Sequence, residues 1–313
     1  GLPQIIGGWV KYTTDVLVGK ARAIFAWTDL TNQNNLAVGT HLRLYVAQGN
    51  SAYDITPARR TAVLGAGSLS TTSGLPIVSV ADVGHGAAVG DTIYVTGATA
   101  VNGITLSGYY DITSITSVNA YVVTASNNAS GTGSGGGTPT IVYLIVPGQQ
   151  DASVGFGVGG GTVGTGTVGT SRAVSGFIFH PRNWSFSQWG QWLIACLRDG
   201  VLYKWDPSTG TTARAVAITN GGTPANGPPL SNSYAMVGMP ERHLVLLGCS
   251  DLNSTSNFDP LLIRWSDVED TTVYNATATN SAGSFRIQGG SNIQGALATT
   301  GQIIIWTDTA LHS

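Results

Sequence analysis

The sequence predicts an all-β protein: a β-propeller, incomplete in this chain, with a small antiparallel β-barrel or sandwich module inserted in it. Three observations carry that expectation. Short Val/Ile/Leu/Tyr runs alternate with Gly-, Asp- and Asn-containing turns along the 313 residues, of which 43 are Gly. No stretch shows a convincing helical period. A hairpin unit ending in an aromatic residue recurs through the chain.

The clearest copy of that unit is residues 192–216, WLIACLRDGVLYKWDPSTGTTARAV. It reads as an apolar strand over 192–197, an Asp199-Gly200 turn and a second strand closing on Trp205. An Asp-Pro-Ser-Thr-Gly turn and a third strand over 213–217 follow. Asp-Gly between two apolar runs marks a hairpin, because glycine takes the positive φ of a primed turn. Residues 41–56 repeat the unit around Tyr45, 244–275 around Trp265 with a last strand over 271–274, and 295–311 around Trp306. A period of about 40–45 residues with short strands fits four-stranded blades. Such a unit cannot bury its own apolar face, so the units must stack about an axis. A β-sandwich in which the aromatics coincide is the alternative.

The chain divides into a first blade over 1–61, an inserted module over 62–147, a Gly-rich linker over 148–170 and further blades over 171–313. Within the module, 92–96, 108–115 and 120–125 alternate apolar and polar residues, giving one buried and one wet face. Gly90-Asp91 and Asn102-Gly103 are turn signals. Insertion at an exposed loop requires the module's ends, near Arg60 and Pro147, to lie close together. The stretch 126–139, SNNASGTGSGGGTP, reads as a flexible loop. The run 154–169 reads as a mobile linker, or as a segment packed along a neighbouring subunit. The chain lacks an initiator Met and stops just after a strand, as expected of an incomplete copy of a longer protein missing residues at both ends.

Composition removes several function classes. Charged residues are 10%, against roughly 25% in ordinary soluble domains. The net charge is −2 and the basic residues are scattered, with Arg59-Arg60 expected as a solvated junction. A main electrostatic grip on nucleic acid needs clustered Lys and Arg, so it is excluded. Apolar runs such as 141–146 are strand-sized, too short for a membrane span. Cys196 and Cys249, in equivalent places of two repeats, read as buried thiols.

No motif carries chemistry. Residues 155–161 match a Gly-x-Gly-x-x-Gly spacing but no helix follows. His41, His85, His180, His243 and His312 have no zinc-site spacing, and His180 is expected to cap or pack against nearby aromatics. Asp267, Glu269 and Asp270 are calcium-type ligands in a loop without the loop's spacing, so a solvated turn is the favoured reading. Asp206, Asp267 and Asp308 follow the aromatic in each unit, and repetition blade by blade argues for turns rather than paired catalytic carboxylates. The expectation is a protein without enzymatic activity, cofactor or metal. Trp184, Phe186, Trp189 and Trp192 form a dense aromatic group that either stacks on sugars or bases at the surface, or fills space between sheets.

The opening LPQIIGGWVKYTTDVLVGKARAIFAW with LAVGTHLRLYVAQGNSAYDITP resembles the N-terminal region of tail nozzle proteins (the tail tubular protein B type) of short-tailed bacteriophages. So do GHGAAVGDTIYVTGATAVNGI, NWSFSQWGQWLIACLRDGVLYKWDPSTG and LIRWSDVEDTTVYNATATNSAGSFRIQGGSNIQGAL with IIIWTDTALHS. The resemblance implies a virion protein that forms a six-membered ring at the distal end of the tail. Propeller and platform domains would surround the channel for DNA ejection. It also implies docking to adjacent tail adaptor and tail fibre proteins, passage of double-stranded DNA without sequence-specific binding, and no catalytic residues. The few charges agree, because each Lys or Arg contact to phosphate adds affinity that would stall passage. The rivals are a carbohydrate-binding propeller used in host attachment and a propeller hydrolase.

Overall fold

A computed structural model of the chain describes residues 11–148, 182–299 and 301–313. It divides into two compact units, Thr56–Val146 and the remainder.

The larger unit is all-β and propeller-like, with four antiparallel sheets as its blades. Blade 1 holds β1 (Ala21–Thr28), β2 (Asn34–Thr40), β3 (Leu44–Gln48) and β4 (Ser51–Asp54). In the module that follows come β5 (Ala58–Val63), β6 (Leu69–Thr71), β7 (Ile77–Ala81) and β8 (Thr92–Ala98). Its remaining strands are β9 (Gly108–Ser117), β10 (Ala120–Thr124), β11 (Gly133–Gly135) and β12 (Gly137–Leu144). Blade 2 is β13 (Trp184–Trp189), β14 (Trp192–Leu197), β15 (Leu202–Trp205) and β16 (Val216–Ala217). Blade 3 is β17 (Asn232–Gly238), β18 (His243–Cys249), β19 (Asp259–Trp265) and β20 (Gly283–Arg286). Blade 4 is β21 (Ile293–Ala298), β22 (Ile303–Thr307) and β23 (Leu311–His312).

Every blade is a meander of neighbouring strands, as short connections dictate. The β14–β15 turn differs from expectation in one respect: Asp199, not the glycine, is the left-handed residue, at φ 58°. Aspartate tolerates that conformation. Residues 213–217 contribute only the two-residue β16, and 271–274 are not a strand. Tyr274 is instead buried, with its N–H donating to the Asn226 carbonyl at 2.8 Å. The fourth strand of blade 3 is β20.

Blades stack because each sheet is apolar on both faces. Along β14, Ile194 and Cys196 alternate with Leu193, Ala195 and Leu197, and all five are buried. Ile194, Cys196, Leu202 and Ile218 pack against Ala235, Leu244, Leu246 and Cys249 of blade 3. The opposite face of blade 3, with Met236, Val245, Leu247 and Ile263, packs on Ile293 and Ile305 of blade 4. A β-sandwich would give each sheet one buried face; blade 3 has two. The first strands of successive blades run side by side, β1 by β13, β13 by β17 and β17 by β21. They therefore form the inner wall, with later strands farther out.

The module is one eight-stranded antiparallel sheet, β11-β6-β7-β10-β9-β8-β12-β5, curled half-way into a barrel around a single core. The Ile145 N–H donates to the Pro57 carbonyl at 3.0 Å, which brings its two ends together. Its boundary lies earlier than residue 62, because β5 pairs with β12 and so belongs to the module. Residues 126–139 are not the flexible loop expected: they hold β11 and the start of β12. Ala129 is buried with its N–H on the Leu75 carbonyl, and Gly136 adopts φ 100° where a Cβ would meet Leu69 at 2.7 Å. These glycines serve close approach, which composition cannot distinguish from flexibility. The run 154–169, Gly155, Gly161 and His180 lie outside the described residues.

Candidate functional site

The four blade aromatics do not occupy matching places. Trp205, 1% exposed, lies on the blade 2 face toward blade 1, where it meets Trp27 edge to face at 6.2 Å. Its indole N–H donates to the Ala213 carbonyl at 3.0 Å. Tyr45 is buried on blade 1, and its hydroxyl accepts the Val18 N–H at 3.0 Å. Trp265 pairs with Val245, on the opposite-handed face of its blade, toward blade 4. Trp306 falls on the second strand of its blade rather than the third and is 41% exposed. Spacing reported that each blade has an aromatic strand end; a one-residue register shift sends the side chain to the other face.

The group Trp184, Phe186, Trp189 and Trp192 is not a surface cluster. Trp184 and Trp189 are 4% and 5% exposed and belong to opposite faces of β13. Trp184 stacks on Phe186 and donates its indole N–H to the Thr40 carbonyl at 2.9 Å, fastening blade 2 to blade 1. Gly39 is required there, since a Cβ would stand 2.3 Å from the Trp184 ring. Trp189 packs toward blade 3 beneath the Arg242 guanidinium at 4.8 Å, and Trp192 lies under Lys204 at 4.5 Å. Filling space between sheets is what these rings do.

The carboxylates and histidines act as local latches. Asp206 accepts from Ser208 N at 2.9 Å and Gln191 Nε2 at 2.8 Å. Asp267 accepts from the N–H and hydroxyl of Ser281, and Asp308 from those of Ser291. The Ser281 and Ser291 bonds hold those two carboxyls below their ordinary pKa; at Asp206 burial pushes upward and the Ser208 bonds outweigh it. Glu269 pairs with Arg242 and Asp270 accepts from Thr272, so the three loop acids each face a partner of their own. His85 accepts the Ala87 N–H at Nδ1, so Nε2 carries the proton given to the Ser117 carbonyl at 3.1 Å. His41 Nδ1 accepts the Lys20 N–H. Among the described residues no three His, Cys, Asp or Glu side chains converge in a metal-binding group. Cys196 and Cys249 are buried free thiols, both pushed up to about 12 by burial.

Sequence reading missed two sites. Arg59 and Arg60 are not a solvated junction: Arg60 grips Asp82 through two bonds of 2.6 and 2.7 Å, and Arg59 pairs with Asp91. Tyr143 donates to Asp82 and contacts the Tyr121 hydroxyl at 3.0 Å, both rings fully buried. Burial pushes the Asp82 carboxyl up, but the Arg60 and Tyr143 bonds outweigh it and hold it low. Burial pushes Tyr121 up to about 12 and Tyr143 higher still. Every member has a partner, so the network fixes the module core and offers no free base or nucleophile. Its members come from strands far apart in sequence, and no local pattern announces them.

The second is a cleft of about 300 Å³ between blades 3 and 4. Trp265, Ile263, Ile303 and Ile305 form its apolar wall, with Met239, His243 and Glu241 also lining it. Trp265 is immobilised: its N–H donates to the Ser281 carbonyl at 2.8 Å, and Gly283 lies so close that a Cβ would stand 2.4 Å from the ring. His243 Nδ1 donates to the Ser266 carbonyl at 2.8 Å, leaving Nε2 as an acceptor in the neutral ring.

The inner wall is nearly uncharged. Across β1, β13, β17 and β21 the sole charged residue is Arg22, whose guanidinium donates to the Arg182 carbonyl at 2.7 Å. Arg43, Arg59, Arg60, Arg214, Arg242, Arg264 and Arg286, half of the chain's 14 basic residues, are held in ion pairs with carboxylates. Among the described residues no helix is long and apolar enough to cross a membrane.

No protein-family model matches the chain, and no curated protein sequence matches it. Among solved structures it is similar to a phage phi92 endosialidase, with a TM-score of 0.26 and 10% identity over 90% of this chain. The match spans 41% of that protein. A likeness that slight transfers neither activity nor substrate.

Proposed function

We propose that this chain is a structural virion protein of a bacteriophage tail, of the nozzle type. It assembles into a homo-oligomeric ring, a hexamer, around the channel for DNA ejection and docks adaptor and fibre proteins. It performs no catalysis. The segment-by-segment resemblance to tail nozzle proteins supports this reading, and one structural observation carries it: seven arginines are paired with carboxylates within the chain, and the inner strands carry a single charged residue, Arg22. A conduit must let phosphate pass, and a guanidinium already bonded to Asp54, Asp82 or Asp259 releases no DNA counterions. Radial stacking of sheets through apolar faces supplies a stiff wall of short strands. Mass photometry of the purified protein tests the proposal: a dominant six-copy species supports it, and a monomer across micromolar concentrations contradicts it.

A second reading, a carbohydrate-binding propeller used in attachment, is favoured by a specific observation, the cleft under Trp265. The cluster at residues 184–192 does not support it, because Trp184 and Trp189 are spent in blade contacts.

A further inference from the structure

The geometry points to the cleft between blades 3 and 4 as a binding site for one ring of a neutral saccharide, an inference that deepens the attachment reading and does not depend on ring assembly. The argument starts from Trp265. A sugar ring offers a C–H face that packs on an aromatic plane, and the plane is most effective when it is already fixed. Here Gly283 supports the indole and Ser281 holds its N–H, so binding orders no rotor. Ile263, Ile303 and Ile305 extend the apolar wall, and the volume of about 300 Å³ sits at the lower end of the range of small-molecule sites.

Polar groups at the same site are acceptors. Glu241 and His243 both line the cleft, and because the His243 Nδ1 proton is committed to the Ser266 carbonyl, the neutral ring has Nε2 as its acceptor. Hydroxyl groups are the donors that suit such a pair. No Lys or Arg lines the cleft, and the nearby Arg242 is engaged by Glu269 and Trp189. A carboxylated sugar would face Glu241 with nothing to neutralise it, so acidic saccharides are rejected. A peptide's apolar side chain would fill the wall but leave both acceptors unmatched.

The test uses methyl hexosides and methyl sialoside as probes, with binding followed by NMR shifts of the tryptophan indole N–H signals. Saturable binding of at least one neutral hexoside at millimolar concentration, centred on the Trp265 signal, is expected, with none by the sialoside. Glu241→Gln, on an exposed side chain, and Trp265→Phe, which keeps a ring over Gly283, should each weaken binding about tenfold, a loss of about 1.4 kcal/mol. Glu241→Gln keeps the test decisive should the ring variant not fold. Absence of binding by every neutral hexoside, or preference for the sialoside, overturns the inference. Hexoside binding indifferent to both variants also overturns it while leaving the attachment reading intact at another place.

Discussion

Trp27 and Trp205 meet edge to face with ring centroids 6.2 Å apart, and the Trp27 indole N–H reaches across to the Gln191 carbonyl at 3.0 Å. Blade 1 and blade 2 are thus joined by a ring–ring contact and a hydrogen bond. Replacing Trp205 with Ala should cost about 3–5 kcal/mol in urea denaturation. Trp306→Ala, on a ring 41% exposed, should cost under about 1 kcal/mol. Equal losses would show that the blades do not stack through Trp205.

Gly39→Ala tests the same junction from the backbone side. A methyl group would stand 2.3 Å from the Trp184 ring, which the Thr40 carbonyl holds in place. The expected destabilisation is about 1–3 kcal/mol, read as a drop in melting temperature. No change in melting would mean Trp184 is free to move aside.

Between the inner strands, serine side chains do the work of a ladder. Ser185 Oγ accepts the Ala235 N–H at 3.1 Å, and Ser187 Oγ accepts that of Val237 at 3.0 Å. Ser185→Ala leaves a buried N–H without its acceptor and should cost about 1–3 kcal/mol. Hydrogen exchange at the Ala235 amide should accelerate; unchanged protection would refute the role.

The module should lose stability at both pH extremes. Asp82 has a lowered folded pKa, so its contribution is full above the unfolded value, about 3.9, and is lost as pH falls through the folded one. Tyr121 and Tyr143 have raised folded values, so their contribution is full below about 10 and is lost as pH rises beyond it. Asp82→Asn should flatten the acid limb and cost about 2–3 kcal/mol, below the loss for a fully buried pair because Arg60 is about a third exposed. An unchanged acid limb would mean Asp82 is not the group responsible.

How much of this was legible beforehand follows from what each signal encodes. The strands at Trp192–Leu197 and His243–Cys249 were readable because uninterrupted apolar runs with turn residues are local. The face on which Trp205 or Trp265 lands was not, since it depends on register against a strand remote in sequence. The Asp82–Arg60–Tyr143 network and the Trp265 cleft are assembled by tertiary pairing, and each residue taken alone looks ordinary. The Gly-rich stretch 126–139 misled because composition records freedom in the unfolded chain, whereas the fold uses Gly136 for close approach to Leu69.

Electron microscopy of the purified protein addresses the central claim most directly. The account predicts rings with six-fold symmetry, radial sheets in each subunit and an open lumen wide enough for a DNA duplex. Isolated single subunits, or closed assemblies with no lumen, would contradict it.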